Sequence, residues 1–578
     1  MRFDSILRHI GEFGTYQKRI YFLVCLPGIT HGIRMMITAF MQFVPEHRCA
    51  IPGLDNDTFA VQSEYHQKLI NETVPYETLD DVYQVARCDL YTPGTYKYDS
   101  NNQPINATMT ACARYVYDQS IFTATATTKY NMVCNDAILR SHAQMVFMGG
   151  FLVGVFSLGA VSDKFGRKTS LFVALFLNIV GGFSLIFAPD FYSYVFLRFI
   201  NGGSSAGIFT ATYIIGVEMT GPSKRLWTGV IIKYHFAIGI VVLALMGYLI
   251  RNWVILEIVA TAPLLCYLSY YWIVPESPRW LISKERPGKA MKIIEKIAKV
   301  NKTTVPQTTL EADDDKEKTS QLKSFISLFT HRVLFFRTMI IFFNWMVVAM
   351  TYYGLSMNTN NLGAGGLFLN FFIAGLMDFP AVTICLLLLD RIGRKKLHCG
   401  FMIIGGLSCV CTIFTILYLS KELQWITVML AMIGKMGSAA GFAVVYVYSA
   451  ELYPTVVRTA AFGASSACAR FGSMLAPYIA DGGTAIGGDF GRAMPLMVFG
   501  GLSTAAGLLC LLLPETLNKD LPETIVDGEL FDDESSSLEE GEDSELSEKQ
   551  KEDKGIINAI ANGTDGLAKD IYPQFTRL

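Results

Sequence analysis

Twelve blocks of about 20 mostly apolar residues, nearly free of charge, recur along the chain, and each is long enough to cross roughly 30 Å of hydrocarbon as a helix. Inside a bilayer only helices and closed barrels satisfy their own backbone polar groups, and blocks of this length select the helix. The spans fall at about 20–43, 141–161, 169–188, 191–215, 226–249, 252–273, 335–356, 365–389, 397–419, 423–447, 460–480 and 492–513. Only 17% of the 578 residues are charged, against about a quarter in a soluble protein. The expected class is an all-α polytopic membrane protein. Residues 1–20 are polar and amphipathic, and the first apolar block is already long enough to span, so no cleavable signal peptide is expected.

Basic residues in short loops orient such a chain, because they are retained on the cytoplasmic side. "SDKFGRK", "GPSKR", "DRIGRKK" and "VVRT" all follow even-numbered spans, as do the lysines of 284–323, whereas 357–364 has no basic residue and 420–422 only Lys421. Both termini are therefore expected in the cytoplasm of a multi-pass plasma-membrane protein. The domains read as a cytoplasmic N-terminus (1–19), a six-helix half (20–273) containing an extracellular loop (44–140), a cytoplasmic loop (274–334), a second six-helix half (335–513) and a cytoplasmic tail (514–578). The extracellular loop carries three N-x-[ST] sequons, at Asn56, Asn71 and Asn106, and the cysteines Cys49, Cys88, Cys112 and Cys134. Glycosylation and two disulfides suit an oxidising compartment, with three connectivities open. The other cysteines are scattered through spans without metal-ligand spacing.

The chain also repeats itself at an offset of about 230 residues, six spans. "SDKFGRK" (162–168) returns as "LDRIGRK" (389–395), and "VEMTGPSKRLWTG" (217–229) is matched by "AELYPTVVRTAAFG" (450–463). "PESPRWL" after span six is echoed by "PETLNKDL" after span twelve. Parallel repeats about an axis normal to the membrane define a transporter architecture with its site between the halves. In the repeated loops the glycine permits a tight turn, and the acid can cap a helix or pair with arginine. Asp163, Arg167, Glu218 and Arg225, with their counterparts Asp390, Arg394, Glu451 and Arg458, are expected to form ion pairs that gate the cytoplasmic side.

These residues carry a resemblance. "GxxxSDKFGRK" from Gly159, "DRIGRK" and "PESPRWL" resemble the major facilitator superfamily, notably its sugar-porter-like branch. The large cysteine-bearing loop after span one, "EFGTYQKRIYFLVCLP", "PEHRC" and "IGKMGSAAGFAVVYVYSAELYPTVVRTAAFGASSACARFGSMLAP" resemble the solute carrier 22 family of organic cation, anion and zwitterion transporters, nearest to its carnitine/organic cation members. The resemblance covers roughly residues 1–525. It implies alternating-access secondary transport of small organic cations or zwitterions such as carnitine, with organic-anion exchange as the alternative.

Ionisable residues inside spans are functional candidates, since burying an unpartnered charge costs at least about 3 kcal/mol. Arg470 lies about ten residues into span eleven, roughly 15 Å deep, among Ser465, Ser466, Ala467, Ala469, Gly472 and Ser473. Its guanidinium suits a carboxylate, and in the resembled family an arginine here accompanies anion and carnitine-type transporters. Asp378, midway through span eight, reads either as Arg470's buried partner or as the counter-charge for an ammonium group or a proton. Tyr352 and Tyr353 in span seven and Tyr446 in span ten offer aromatic faces to a quaternary ammonium. Lys233, about seven residues inside span five, is within snorkelling reach of the cytoplasmic edge. Arg34 in span one faces the loop domain or the cavity, and His31 beside it reads as a packing residue. Lys435 in span ten reads as structural or substrate-related.

There is no nucleotide-binding loop, metal cluster or catalytic serine motif, so the reading is not an enzyme. No cofactor is expected beyond a coupling ion, sodium or proton. Residues 527–553 are strongly acidic and suit a solvated tail, and Thr576–Leu578 match the C-terminal pattern that adds as a strand to a PDZ domain. A non-transporting receptor or scaffold is the competing class.

Overall fold

The computed structural model describes residues 3–79, 82–92, 97–98, 104–105, 108–305, 326, 328–362, 366–519 and 521–531. The sequon at Asn106, residues 306–325, the acidic tail and Thr576–Leu578 lie outside the described residues. The long helices are α1 (Thr15–Met36), α2 (Ile138–Phe165), α3 (Arg167–Leu185), α4 (Phe191–Glu218), α5 (Arg225–Leu249), α6 (Trp253–Tyr267), α7 (Arg332–Met357), α8 (Leu367–Leu376, resuming as Asp378–Ile392), α9 (Arg394–Tyr418), α10 (Trp425–Leu452), α11 (Arg458–Ile486) and α12 (Gly488–Cys510).

Ten of these helices are long and apolar enough to cross a membrane. The other two, α4 and α11, are just as long, at 28 and 29 residues. Their composition is more polar because they turn small and charged residues toward other helices. Arg198, Asn201, Ser204 and Ser205 of α4, and Ser465, Arg470 and Ser473 of α11, are all buried. Large apolar side chains point the other way: Phe176, Phe187, Phe196, Phe414 and Leu512 are exposed. Polar inside and apolar outside is the pattern expected where the surroundings are hydrocarbon. Close approach uses small residues, and a Cβ at Gly154 of α2 would fall on the backbone of Gly203 in α4.

The helices before residue 305 pack mainly among themselves, as do those after 328; the main contacts between the groups are α2 on α11 and α5 on α8. Helix α8 is interrupted at Met377. Pro380 lacks an N–H and crowds the preceding turn, which accounts for a break there.

Between α1 and α2 the loop folds into paired short strands. His47–Cys49 pairs with Tyr115–Tyr117, and Asp89–Tyr91 with Met109–Ala111, both antiparallel. The disulfides are Cys49–Cys112 and Cys88–Cys134, one of the three connectivities left open by the sequence. His47 lies close to Cys88 and Cys134, but both sulfurs belong to the disulfide, so the trio offers no thiolate pair to a metal. A buried charge cluster braces the loop: Arg48 grips Asp57 with two nitrogens (3.0 and 2.5 Å), and His66 Nε2 lies 3.0 Å from the same carboxylate. Burial raises the Asp57 carboxyl, but bonds from Arg48, the Ile51 N–H and His66 outweigh it and hold the group below its ordinary value. Asn56 and Asn71 are exposed. Phe122 seats the loop on Phe40, Phe43 and Phe368.

Candidate transport site and gates

Arg470 sits where α11 faces α2, its guanidinium stacked 4.2 Å from the Phe151 ring. It is 7% exposed, and Nε and Nη1 have no hydrogen-bond partner. The phenols of Tyr353 (α7) and Tyr446 (α10) and the ring of His31 (α1) lie within its electrostatic reach. Among the described residues no carboxylate lies within 4.0 Å of it. The pairing with Asp378 that the sequence suggested is not formed.

Asp378 goes elsewhere. Tyr352 donates its hydroxyl to the carboxylate at 2.6 Å, and Lys435 Nζ lies 3.7 Å from the other oxygen and 3.0 Å from the Tyr352 ring centroid. All three are buried. Asp378 opens the second segment of α8, where an anion suits the positive end of the helix dipole. This group ties α7, α8 and α10 together, so Lys435 has a partner inside the protein.

Lys233 does not snorkel. Its ammonium lies 4.6 Å from the Tyr446 ring centroid and 5.8 Å from that of Phe442, reaching from α5 to α10. Tyr446 continues into an aromatic cluster with Trp345 (4.5 Å), Phe442 (5.5 Å) and Phe462 (5.7 Å), and Phe442 in turn meets Tyr352 (5.9 Å). Arg34 corrects the sequence reading. It is 3% exposed, in direct contact with the buried Glu257 of α6, and donates to Thr261 at 2.5 Å. Its charge is neutralised within its own helix group, which removes it from the site. His31 is a packing residue, stacked on Phe209 (4.6 Å) and 3.0 Å from Ser205 Oγ.

Sequence reasoning missed Glu257 and Arg198. Arg198 donates to Thr38 (2.5 Å) and Gln144 (2.7 Å) and stacks on Phe147 at 4.4 Å. Both lie inside spans, and searching every span for a lone charge would have found them.

At the end away from the loop, the repeated motifs form matching clusters. Arg167 grips Glu218 (3.1 and 3.3 Å) and Asp163 (2.8 Å); Arg394 grips Glu451 (2.9 and 3.1 Å) and Asp390 (3.1 Å). Asp163 and Asp390 are 77% and 63% exposed at the side chain, so the half-buried Arg–Glu pairs carry most of the interaction. Each cluster stays within one helix group rather than clasping the two together, which refines the gating expectation. Arg225 opens α5, and Arg458 opens α11 with its Nε donating to the Tyr453 carbonyl at 3.0 Å.

The glutamates of the "PES" and "PET" echoes supply the helix caps. Glu276 accepts from the N–H groups of Arg167 (3.0 Å) and Lys168 (3.1 Å), and Glu515 from that of Arg394 (2.8 Å). Gly166 and Gly393, at φ 109° and 100°, are the positions where positive φ and the approaching carboxylate both exclude a side chain.

Polar bonds join the two groups at α5–α8, where the Tyr234 hydroxyl lies 2.8 Å from Thr383 Oγ1, and at the loop end. Ser141 donates to Asp481 at 2.7 Å, and His142 Nδ1 lies 2.6 Å from the Tyr478 hydroxyl, joining α2 to α11.

Apolar outer faces, a charged and aromatic centre shared by two helix groups, and paired charge clusters at one end define a polytopic membrane transporter. The sequence profile of the "Sugar (and other) transporter" family matches residues 100–526. The "Organic cation transporter protein" of Drosophila melanogaster is 40% identical over 560 residues, covering 95% of this chain and 98% of its own. Human "Solute carrier family 22 member 13" is 32% identical, covering 92% and 93%. The crystal structure of a D-xylose–proton symporter shares the fold with a TM-score of 0.55 at 14% identity, covering 88% of this chain and 100% of that one. The chain belongs to the solute carrier 22 branch of the sugar (and other) transporter family, and is a secondary transporter of small organic solutes rather than an enzyme.

Proposed function

We propose that the twelve long helices form two six-helix halves with both termini cytoplasmic, and that they alternate access to the Arg470 site for small solutes bearing a carboxylate. Zwitterions of the carnitine type come first and organic anions second. The observation that carries the reading is Arg470 itself: a buried guanidinium with two unpartnered nitrogens and, among the described residues, no carboxylate within 4.0 Å. A substrate carboxylate would supply the missing charge, and a bidentate fork recognises it well. The Tyr353 and Tyr446 faces would hold the cationic end of a zwitterion. Lys233 beside Tyr446 is the specific observation favouring the anion reading. A simple cation is disfavoured, since the buried acids Asp378 and Glu257 are both engaged by protein cations.

Two further arguments support the architecture: the repeat of motifs and clusters between the halves, and the basic residues at one end. With α2 and α11 latched at the loop end and the Arg–Glu clusters closed within their own halves, the described state fits one shut toward the loop. Exposed Asn56 and Asn71 suit glycosylation along with Asn106, and Thr576–Leu578 suit a PDZ partner. Transport would draw on a gradient, sodium or proton, or on exchange. Uptake of radiolabelled carnitine, tetraethylammonium and an aromatic carboxylate into proteoliposomes, with and without sodium, tests the reading. Transport of tetraethylammonium alone would overturn it.

A further inference from the structure

The connection between α4 and α5 is Gly-Pro-Ser-Lys-Arg, residues 221–225, and Glu12 from the N-terminal segment is docked into it. The Gly221 N–H donates to the Glu12 carbonyl at 2.9 Å. The Ser223 N–H donates to the Glu12 carboxylate at 3.3 Å, and the Ser223 hydroxyl donates to the same oxygen. Glu12 closes one side of a clasp. The short helix Phe3–Ile10 buries Phe3, Ile6, Leu7 and Ile10 in the same core as Ile294 and Ile297 of helix Pro287–Asn301. Asn301 fastens the segment by donating to the Ile10 carbonyl (3.0 Å) and accepting from the Tyr16 N–H (3.0 Å). Three separate stretches, the N-terminal segment, the α4–α5 connection and the helix after α6, are thereby held together.

Ser223 and Lys224 are exposed, and the serine is followed directly by two basic residues. We propose that Ser223 is a phosphorylation site for a basophilic serine/threonine kinase, and that its phosphate opens this clasp. In the transfer, Oγ attacks the γ-phosphorus of ATP. The new Oγ–P bond replaces the bond to ADP, which leaves, and the hydroxyl proton passes to the kinase base. The product has lost the proton it donated to Glu12 and carries a charge of about −1.5 to −2. A hydrogen bond becomes a repulsion between two anions, and Glu12 is expelled. Glu218, the half-buried partner of Arg167, ends the helix before this connection, so the modification acts next to that charge cluster.

The inference rests on the cytoplasmic placement of the termini, and the test is arranged so that the two fail separately. Purified full-length protein in detergent exposes both faces, so treatment with a basophilic kinase catalytic subunit and Mg·ATP does not depend on sidedness. Peptide mapping should find phosphate on Ser223. Hydrogen exchange of residues 3–12 should accelerate at least about tenfold, as expected for loss of a charge-assisted bond. Ser223→Ala should show no kinase-dependent change, and Glu12→Lys, which turns the repulsion into attraction, should keep the phosphorylated segment protected. Absence of phosphate on Ser223, or phosphorylated protein with unchanged exchange in residues 3–12, would overturn the proposal. Phosphorylation in detergent but never in intact cells would instead fault the sidedness.

Discussion

Removing the loop-end latch should drive the transporter toward a state open on that side. Two polar bonds join α2 to α11 there, Ser141 to Asp481 at 2.7 Å and His142 to Tyr478 at 2.6 Å. Arg140 Nε adds a contact to Asp481 at 4.0 Å, but the Asp481 side chain is 36% exposed, so that pair is worth well under about 1 kcal/mol. A hydroxyl-to-carboxylate bond is worth about 1.5–3 kcal/mol, which partial exposure of Asp481 reduces to about 1 kcal/mol. The His142–Tyr478 bond adds about 1 kcal/mol. Asp481→Ala with Tyr478→Phe therefore removes about 2 kcal/mol from the latched state, a shift of roughly thirtyfold in the ratio of states. Gly149→Cys supplies a reporter, because a Cβ there would touch Met474 at the α2–α11 contact. Its labelling rate by a membrane-impermeant maleimide from the loop side should rise by at least about tenfold in the double variant. An unchanged rate in folded, surface-expressed protein would refute the idea that these contacts hold the loop end shut.

Asp378→Asn leaves Lys435 buried without its counter-charge and should destabilise by about 3–5 kcal/mol; Asp378→Asn with Lys435→Met should recover much of that in thermal melting of purified protein, and no recovery would mean the pair is not coupled. Asp57, held below the ordinary carboxylate value of 3.8, stabilises the folded loop above that value, and this contribution is lost as pH falls through the lowered folded value. Protease protection of the loop should accordingly decline in acid below about pH 4 in the parent, and should be lower with a weaker acid dependence in Asp57→Asn. Cys88→Ser with Cys134→Ser should cost the loop about 2–4 kcal/mol, and non-reducing peptide maps of the parent protein should join Cys49 to Cys112; recovery of a Cys49–Cys88 peptide from the parent would contradict the pairing.

Much of the architecture was legible because lipid imposes long apolar blocks and the repeat duplicates its motifs. Each apolar block overlaps one long helix, including α4 and α11, whose polar inner faces lower their apolar content, though the ends differ by up to seven residues at α1. The repeated motif residues were legible as types but not as pairs: Glu218 and Glu451 sit seven residues before Arg225 and Arg458, yet Arg167 and Arg394 take them from another helix. Partners of that kind depend on how helices are rotated against one another, which spacing along a single helix does not encode. The same limit hid Lys435 as the partner of Asp378 and Glu257 as the partner of Arg34. The cap role of Glu276 and Glu515 was hidden because each acts about 110–120 residues away in sequence, across a tertiary contact. The disulfide connectivity was likewise hidden, because Cys88 and Cys112 are backbone neighbours in the loop yet bond to Cys134 and Cys49.

The central claim is that a substrate carboxylate completes the charge of Arg470, and the most direct measurement is competition for uptake by carboxylate-bearing and carboxylate-free ligands in Arg470 variants. Losing a buried charged partner costs about 3 kcal/mol or more, over a hundredfold in affinity. Arg470→Ala should weaken the apparent affinity for carnitine-like and aromatic carboxylates by at least that factor while barely changing competition by carboxylate-free ligands. Arg470→Lys, which keeps the charge but not the fork, should fall between. Parent affinity for carboxylates in folded, surface-expressed Arg470→Ala would contradict the account and return the arginine to a structural role.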